Sequence, residues 1–134
     1  MQSDAEAIEE ITRRFFAAFA NAGGYAASID DLYHILIPQA VIVSNSGDNP
    51  IVYSLESFVE PRRALLANGS LVDFREWETS GRTDILGNIA QRAGTYAKSW
   101  TARGRSFEQT GAKTLQFIRT PEGWRISAFA WDDD

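Results

Sequence analysis

Cysteine is absent from the 134 residues, so neither a disulfide frame, nor thiol chemistry, nor a cysteine-rich zinc site can belong to this chain. Histidine occurs once, as His34, which excludes acid–base schemes built on two imidazoles. Positive charge is in deficit: 13 Lys and Arg face 18 Asp and Glu, a net of −5 that repels phosphate backbones, and no nucleic-acid partner is expected. No apolar run approaches the roughly 20 residues that span a bilayer. The opening Met1-Gln2-Ser3-Asp4-Ala5-Glu6 is acidic where a secretion signal starts positive. The expectation is a cytoplasmic chain with no membrane partner. Internal repeats, flexible linkers and cofactor motifs are missing too, and no cofactor is expected.

What is present fits a packed domain. The hydrophobic share is 44% and the aromatic share 12%, with four Trp, which argues against disorder. A chain of this length forms one domain, 1–134, and folding removes about two thirds of its unfolded surface from water.

Ser3 and Glu6 stand at capping-box spacing, so a helix starts there. Ile8, Ile11, Phe15 and Phe19 recur at three- and four-residue steps until Asn21 and Gly23-Gly24, giving an amphipathic helix with an aromatic face. Asp30-Asp31 open a second, short helix that carries Leu32, Ile35 and Leu36 and is closed by Pro38. Val41-Ile42-Val43 and Ile51-Val52-Tyr53 read as a peripheral hairpin across the turn-rich stretch from Asn45 to Pro50. A third helix follows, capped by Ser54 or Ser57, with Phe58, Leu65 and Leu66 apolar, Pro61 limiting its regularity and Asn68-Gly69 ending it. After Gly69 the period changes to two, and strands are predicted at 71–85, 89–101, 107–120 and 123–131 in hairpin succession. The fold class is α+β, a curved antiparallel sheet packed on N-terminal helices.

A loop from Thr120 to Gly123 sets Arg119 opposite Trp124, Phe117 opposite Ile126 and Leu115 opposite Ala128, an apolar face that meets the helices. On that inner face the small Ala128 and Ala130 leave volume for a cavity. Phe129 and Trp131 then fall on the outer face, as anchors for another chain. A two-residue turn at Gly87-Asn88 groups Trp77 with Arg92, Tyr96, Lys98 and Trp100, and puts Glu76 and Glu78 with Val72 and Phe74 on the opposite face. A single β-bulge would exchange these assignments beyond it.

One helix with an aromatic stripe, two shorter helices and long strands ending in Gly123-Trp124-Arg125-Ile126 resemble the nuclear transport factor 2-like superfamily, in particular its SnoaL-like small bacterial members. Phe15-Phe16-Ala17-Ala18-Phe19, Leu36 to Val43 and Gly87-Asn88-Ile89-Ala90 support the likeness, which spans nearly the whole chain. The resemblance implies a cone of helices on a curved, cystatin-like sheet, frequent pockets and frequent dimers, and no single reaction. The histidines of the superfamily's dehydratases are not matched, since only His34 exists. Of the ketosteroid isomerase pattern Tyr96 can be placed, without an Asp to align with it; of the epoxide hydrolase Asp-Arg-Asp network the nearest analogue is Glu76 or Glu78 with Arg92. A polyketide cyclase would draw on His34 with Asp30 or Asp31.

Each candidate has an ordinary counterpart. His34 could move protons near neutral pH, or sit on a helix surface. Glu76 and Glu78 could share a cavity where desolvation raises one of them, or form a solvated pair matched by Arg75, Arg92 or Lys98. Phe15, Phe19, Trp77, Tyr96, Trp100, Phe117 and Ala128 could line a ligand pocket, or be plain core. Asp132-Asp133-Asp134 reads as a frayed, solvated end, and no metal is expected there. The function expected is binding of a small hydrophobic ligand in a mostly apolar cavity between the first helix and the sheet, in a homodimer formed through the outer sheet face. Two alternatives stand beside it. One is a cofactor-free lyase, isomerase or cyclase acting on a hydrophobic carbonyl compound, with Glu76 or His34 as base and Tyr96 as hydrogen-bond donor. The other is a protein interaction module.

Overall fold

Ser3 and Glu6 close the capping box their spacing calls for: the Glu6 amide donates to Ser3 Oγ and the Ser3 amide to the Glu6 carboxylate, both at 3.1 Å. From there α1 runs Asp4–Ala17 in the computed structural model, which describes residues 1–134. Its face of Ile8, Ile11, Phe15 and Phe16 is buried. Two short 3-10 turns, Ala22–Gly24 and Ile29–Asp31, lead into α2, the single turn Leu32–Ile35.

Helix α2 ends before Pro38 is reached. Strand β1 (Leu36–Ser44) begins at once, because Leu36 has a strand partner in Ile126. Pro38, with no N–H to give, sits where the β1 register slips between Leu36 and Val41. Strand β2 (Ile51–Tyr53) and helix α3 (Leu55–Ala67) follow, the helix capped by Ser54 with Ser57 reciprocating. The chain then meanders through β3 (Val72–Leu86), β4 (Ile89–Ala102), β5 (Arg105–Thr120) and β6 (Gly123–Asp133).

The six strands form one curved sheet in the order β2-β1-β6-β5-β4-β3. β3 to β6 are antiparallel, as their turn signals predict, but β1 lies parallel to β6, so the sheet is mixed and β1 is interior. Only β2 makes the hairpin's side an edge.

Two bulges decide which side chains face the helices. In β6, Phe117 pairs with Ile126 as the turn dictates, yet Leu115 pairs with Phe129; Ser127 is the extra residue. Beyond it Phe129, Trp131 and Asp133 point inward and Ala128 and Ala130 outward, the reverse of the unbroken alternation. In β3, Glu78 pairs with Tyr96 and Ser80 with Thr95, leaving Thr79 extra. Glu76 and Glu78 thereby join the face of Tyr96 and Lys98, while Trp77, opposite Ala97, is turned out and 43% exposed.

Aromatic edges fill the space between layers. Phe129 takes Phe15 of α1 edge-on at 4.8 Å and Phe58 of α3 at 5.1 Å between ring centres. Buried Phe117, Ile126 and Leu115 belong to the same core. Asn21, nearly buried, ties the helix layer to the sheet: its amide donates to the carbonyls of Leu66 (2.9 Å) and Leu71 (2.8 Å), and its carbonyl accepts from the Phe74 amide at 2.6 Å. At the other end of α1, Asp4 accepts from Arg119 at 2.9 and 2.8 Å and from the Trp124 indole at 3.1 Å. Those donors, Arg119 first, hold the Asp4 carboxyl down at about 2. No helix is long and apolar enough to cross a membrane.

Candidate functional site

The curvature of the sheet leaves a recess of about 410 Å³ beneath α3, within the span of small-molecule sites. Phe19 just past the end of α1, Phe58, Leu65 and Leu66 of α3, and Trp100 and Trp131 of the sheet give it an apolar wall. Into this wall are set Arg62, Glu76, Lys98, Lys113 and Asp133.

Lys113 and Glu76 form its floor. Their side chains are 9% and 6% exposed and meet at 2.5 Å, Nζ to Oε2. The ammonium also stands 4.6 Å from the Tyr96 ring centre, 5.0 Å from Phe15 and 5.4 Å from Phe16, a box of π-faces that suits a cation. Burial pushes the Lys113 ammonium below the ordinary lysine value, against the opposing pull of Glu76.

A second pair lies alongside. Asp133 accepts a hydrogen bond from the Tyr96 hydroxyl and meets Lys98 Nζ at 3.1 Å. Burial, then the Asp133 carboxylate, raises the Tyr96 phenol well above its usual range. Gly111 makes room for this contact, since a Cβ there would collide with the Tyr96 hydroxyl.

Arg62 descends from α3. Its guanidinium lies over Phe58 at 3.8 Å from the ring centre, with Tyr53 at 5.2 Å and Trp131 at 5.7 Å, and Nη1 donates to the Phe58 carbonyl at 3.1 Å. Burial lowers its pKa, opposed by the Tyr53 hydroxyl and Glu76, but an arginine so placed remains a cation at neutral pH. A groove of about 550 Å³ beside Tyr25 offers less chemistry: its Arg63 is engaged by Asp30 and Glu60, and its Asp73 accepts from the Gly23 amide.

No family model and no curated protein matches the sequence. Solved structures do. A nuclear transport factor 2-like superfamily protein from Salmonella enterica serovar Typhimurium superposes with a TM-score of 0.78 at 14% identity, covering 96% of this chain and 89% of that one. A conserved protein from Planctomyces limnophilus gives 0.80 at 18%, over 98% and 96% of the two chains. A protein with a cystatin-like fold from Caulobacter vibrioides gives 0.74 at 15%, over 98% and 89%. The chain has the nuclear transport factor 2-like fold.

Within this fold the residues singled out in the sequence take different places. Glu76 is at the recess floor, and Phe19 and Trp100 are in its wall. Tyr96 is buried beneath it, its hydroxyl turned to Asp133. Phe15 and Phe117 lie in the core, Phe15 directly under the Lys113 ammonium. Trp77 and Ala128 do not line the recess, because the bulges at Thr79 and Ser127 turn them to the outer face. His34 is exposed on α2, and its candidate partners Asp30 and Asp31 hold Arg63 and Arg14 instead. Glu78 pairs with Arg92 at 2.6 Å, outside the recess lining.

Three expectations are corrected here. The polar groups of the recess are not few: three cations and two carboxylates stand among the nine hydrophobic residues that line it. Phe129 and Trp131 are not outer-face anchors, the first being 2% exposed and the second part of the recess wall. Asp133 and Asp134 do not form a frayed end: Asp133 is tied to Tyr96 and Lys98, and the Asp134 amide donates to the Thr110 carbonyl at 2.9 Å.

Lys113 was not singled out in the sequence; Lys98 entered only as a partner for the glutamates, Asp133 only within the terminal triplet, and Arg62, with Arg63, as an anion site set against an ordinary helix arginine. Two of them carried a signal: Lys113 alternates with Leu115 and Phe117, and Arg62 follows Phe58 by one helical turn.

Proposed function

We propose that this domain binds a small molecule in the recess beneath α3, as a cytoplasmic homodimer of the SnoaL-like kind. The observation that carries the reading is the gathering of five ionisable side chains into one otherwise aromatic and aliphatic hollow. Buried charges are costly for stability alone, and hydrophobic residues of the same volume would serve the core as well or better. Their concentration in a concave site is the usual mark of recognition or chemistry.

The ligand is a molecule with an aromatic or aliphatic body and a polar group. Carbonyl chemistry with Tyr96 as hydrogen-bond donor is less well supported, because the single phenolic proton already serves Asp133. A protein interaction module anchored by Phe129 and Trp131 loses both anchors to the interior.

Calorimetric titration with a panel of aromatic and lipophilic small molecules tests the reading. Leu65 stands 41% exposed at the rim, so Leu65→Trp is expected to narrow the entrance and weaken any binding at least tenfold. A panel that produces no binding heat, or binding that Leu65→Trp leaves untouched, defeats the assignment.

A further inference from the structure

Two of the three recess cations have a carboxylate of their own: Lys113 has Glu76 at 2.5 Å and Lys98 has Asp133 at 3.1 Å. Arg62 forms no ion pair in the structure, and the lining as a whole is left with one surplus positive charge in a chain of net −5. We propose that the recess is selective for aromatic carboxylates and that Arg62 is the receptor for the carboxylate group; the proposal rests on the ligand-binding reading above.

The donor geometry leads to the same group. A guanidinium has five N–H donors in a rigid plane. Inside the protein Nη1 donates to the Phe58 carbonyl, and the Tyr53 hydroxyl stands beside the group as a second acceptor. No side-chain nitrogen is left fully buried without a partner, so the unpaired Arg62 nitrogens keep some contact with solvent, in a side chain that lines the recess. The guanidinium carbon lies over the Phe58 ring, a contact that helps hold the group in place, and a guanidinium can offer a carboxylate paired, parallel hydrogen bonds.

The surplus of one charge selects a monoanion. A dianion such as a phosphate ester would leave the recess with excess negative charge beside Glu76 and Asp133, a like-charge cost that a carboxylate avoids. Around Arg62 stand Tyr53 and Trp131, stacked at 6.3 Å with ring planes 10° apart, and Trp100 faces the same hollow. These rings offer offset or edge contacts to an aromatic body.

The test pairs each acid with its neutral amide: trans-cinnamate with trans-cinnamamide, and indole-3-acetate with indole-3-acetamide, titrated calorimetrically. The wild-type protein is expected to bind the acids at least tenfold more tightly than the amides. Arg62→Met, with folding checked separately by its thermal transition, is expected to remove the preference, so that acid and amide bind with equal affinity. Should Arg62→Met fail to fold, Arg62→Lys is the second measure: it keeps the charge, loses the planar fork, and is expected to cut the preference for the acids by several fold. Equal binding of acid and amide by the wild type, or a preference that survives in the folded variants, overturns the selectivity and leaves the binding site standing. Absence of binding by acids and amides alike overturns both.

Discussion

Lys113 and Glu76 show how much one residue pair can hold. Each is nearly removed from water and each is the other's main compensation, so loss of one strands the other. Lys113→Met is expected to cost about 3–5 kcal/mol, and the double variant Lys113→Met/Glu76→Leu to recover most of that loss. Urea unfolding of the two single variants, the double variant and the wild type gives the coupling energy directly; a double variant as weak as Lys113→Met alone would show that the pair is not self-compensating. At this scale the sequence was half legible. Glu76 and Tyr96 stood out as chemistry on a strand, whereas Lys113, in phase with Leu115 and Phe117, was masked by the habit of placing lysines in solvent. Asp133 was hidden inside an acidic triplet whose outer members suggested a solvated tail.

Elements were read well from their ends and poorly from their middles. The capping serines and the turns at Gly87-Asn88 and at Pro121-Glu122 announced where helices and strands begin, and the pairing next to each turn followed. Registers propagated outward from a turn hold only as far as the first bulge. Ser127-Ala128-Phe129-Ala130 fits either phase of alternation about equally well, so nothing local marks Ser127 as the extra residue. Mid-strand glycines give a partial clue: a Cβ at Gly94 would run into the Ser80 carbonyl, beside the β3 bulge.

The anchoring of α1 at its N-terminal end yields a pH prediction at the same scale. The folded-state pKa of Asp4, about 2, lies below the ordinary 3.8, so the carboxylate's contribution is complete above about pH 4 and is lost as the pH falls toward 2. Acid unfolding followed by tryptophan fluorescence is expected to begin at higher pH in Arg119→Met, which removes the principal donor, than in the wild type. Coincident acid transitions in the two proteins would mean that Asp4 does not act through this contact.

For the molecule as a whole, fold class was legible because the helices all lie before Gly69, with only the β1 and β2 strands set among them, and after Gly69 the period is that of strands alone. The parallel pairing of β1 with β6 was not, since parallel neighbours are joined by no turn and leave no mark at a fixed spacing. The proposed homodimer needs another contact surface than the one the sequence suggested. With Phe129 and Trp131 inside, Trp77 is the large aromatic residue that the outer sheet face offers. Light scattering coupled to size exclusion is expected to give twice the monomer mass, and Trp77→Lys to shift the population to monomer. A wild-type protein that elutes at monomer mass at high micromolar concentration would end the dimer proposal.

The place of β1 also constrains the order of assembly. Leu36 finds its partner at Ile126, so β1 and its short companion β2 leave the ribosome long before the strand that will cover their open side has been made. During that interval an unsatisfied row of backbone amides and carbonyls is available to any passing strand, and closing so long a loop is intrinsically slow. Crowded, fast expression therefore threatens this fold through its first strand, and slower synthesis at lower temperature favours recovery of the native chain.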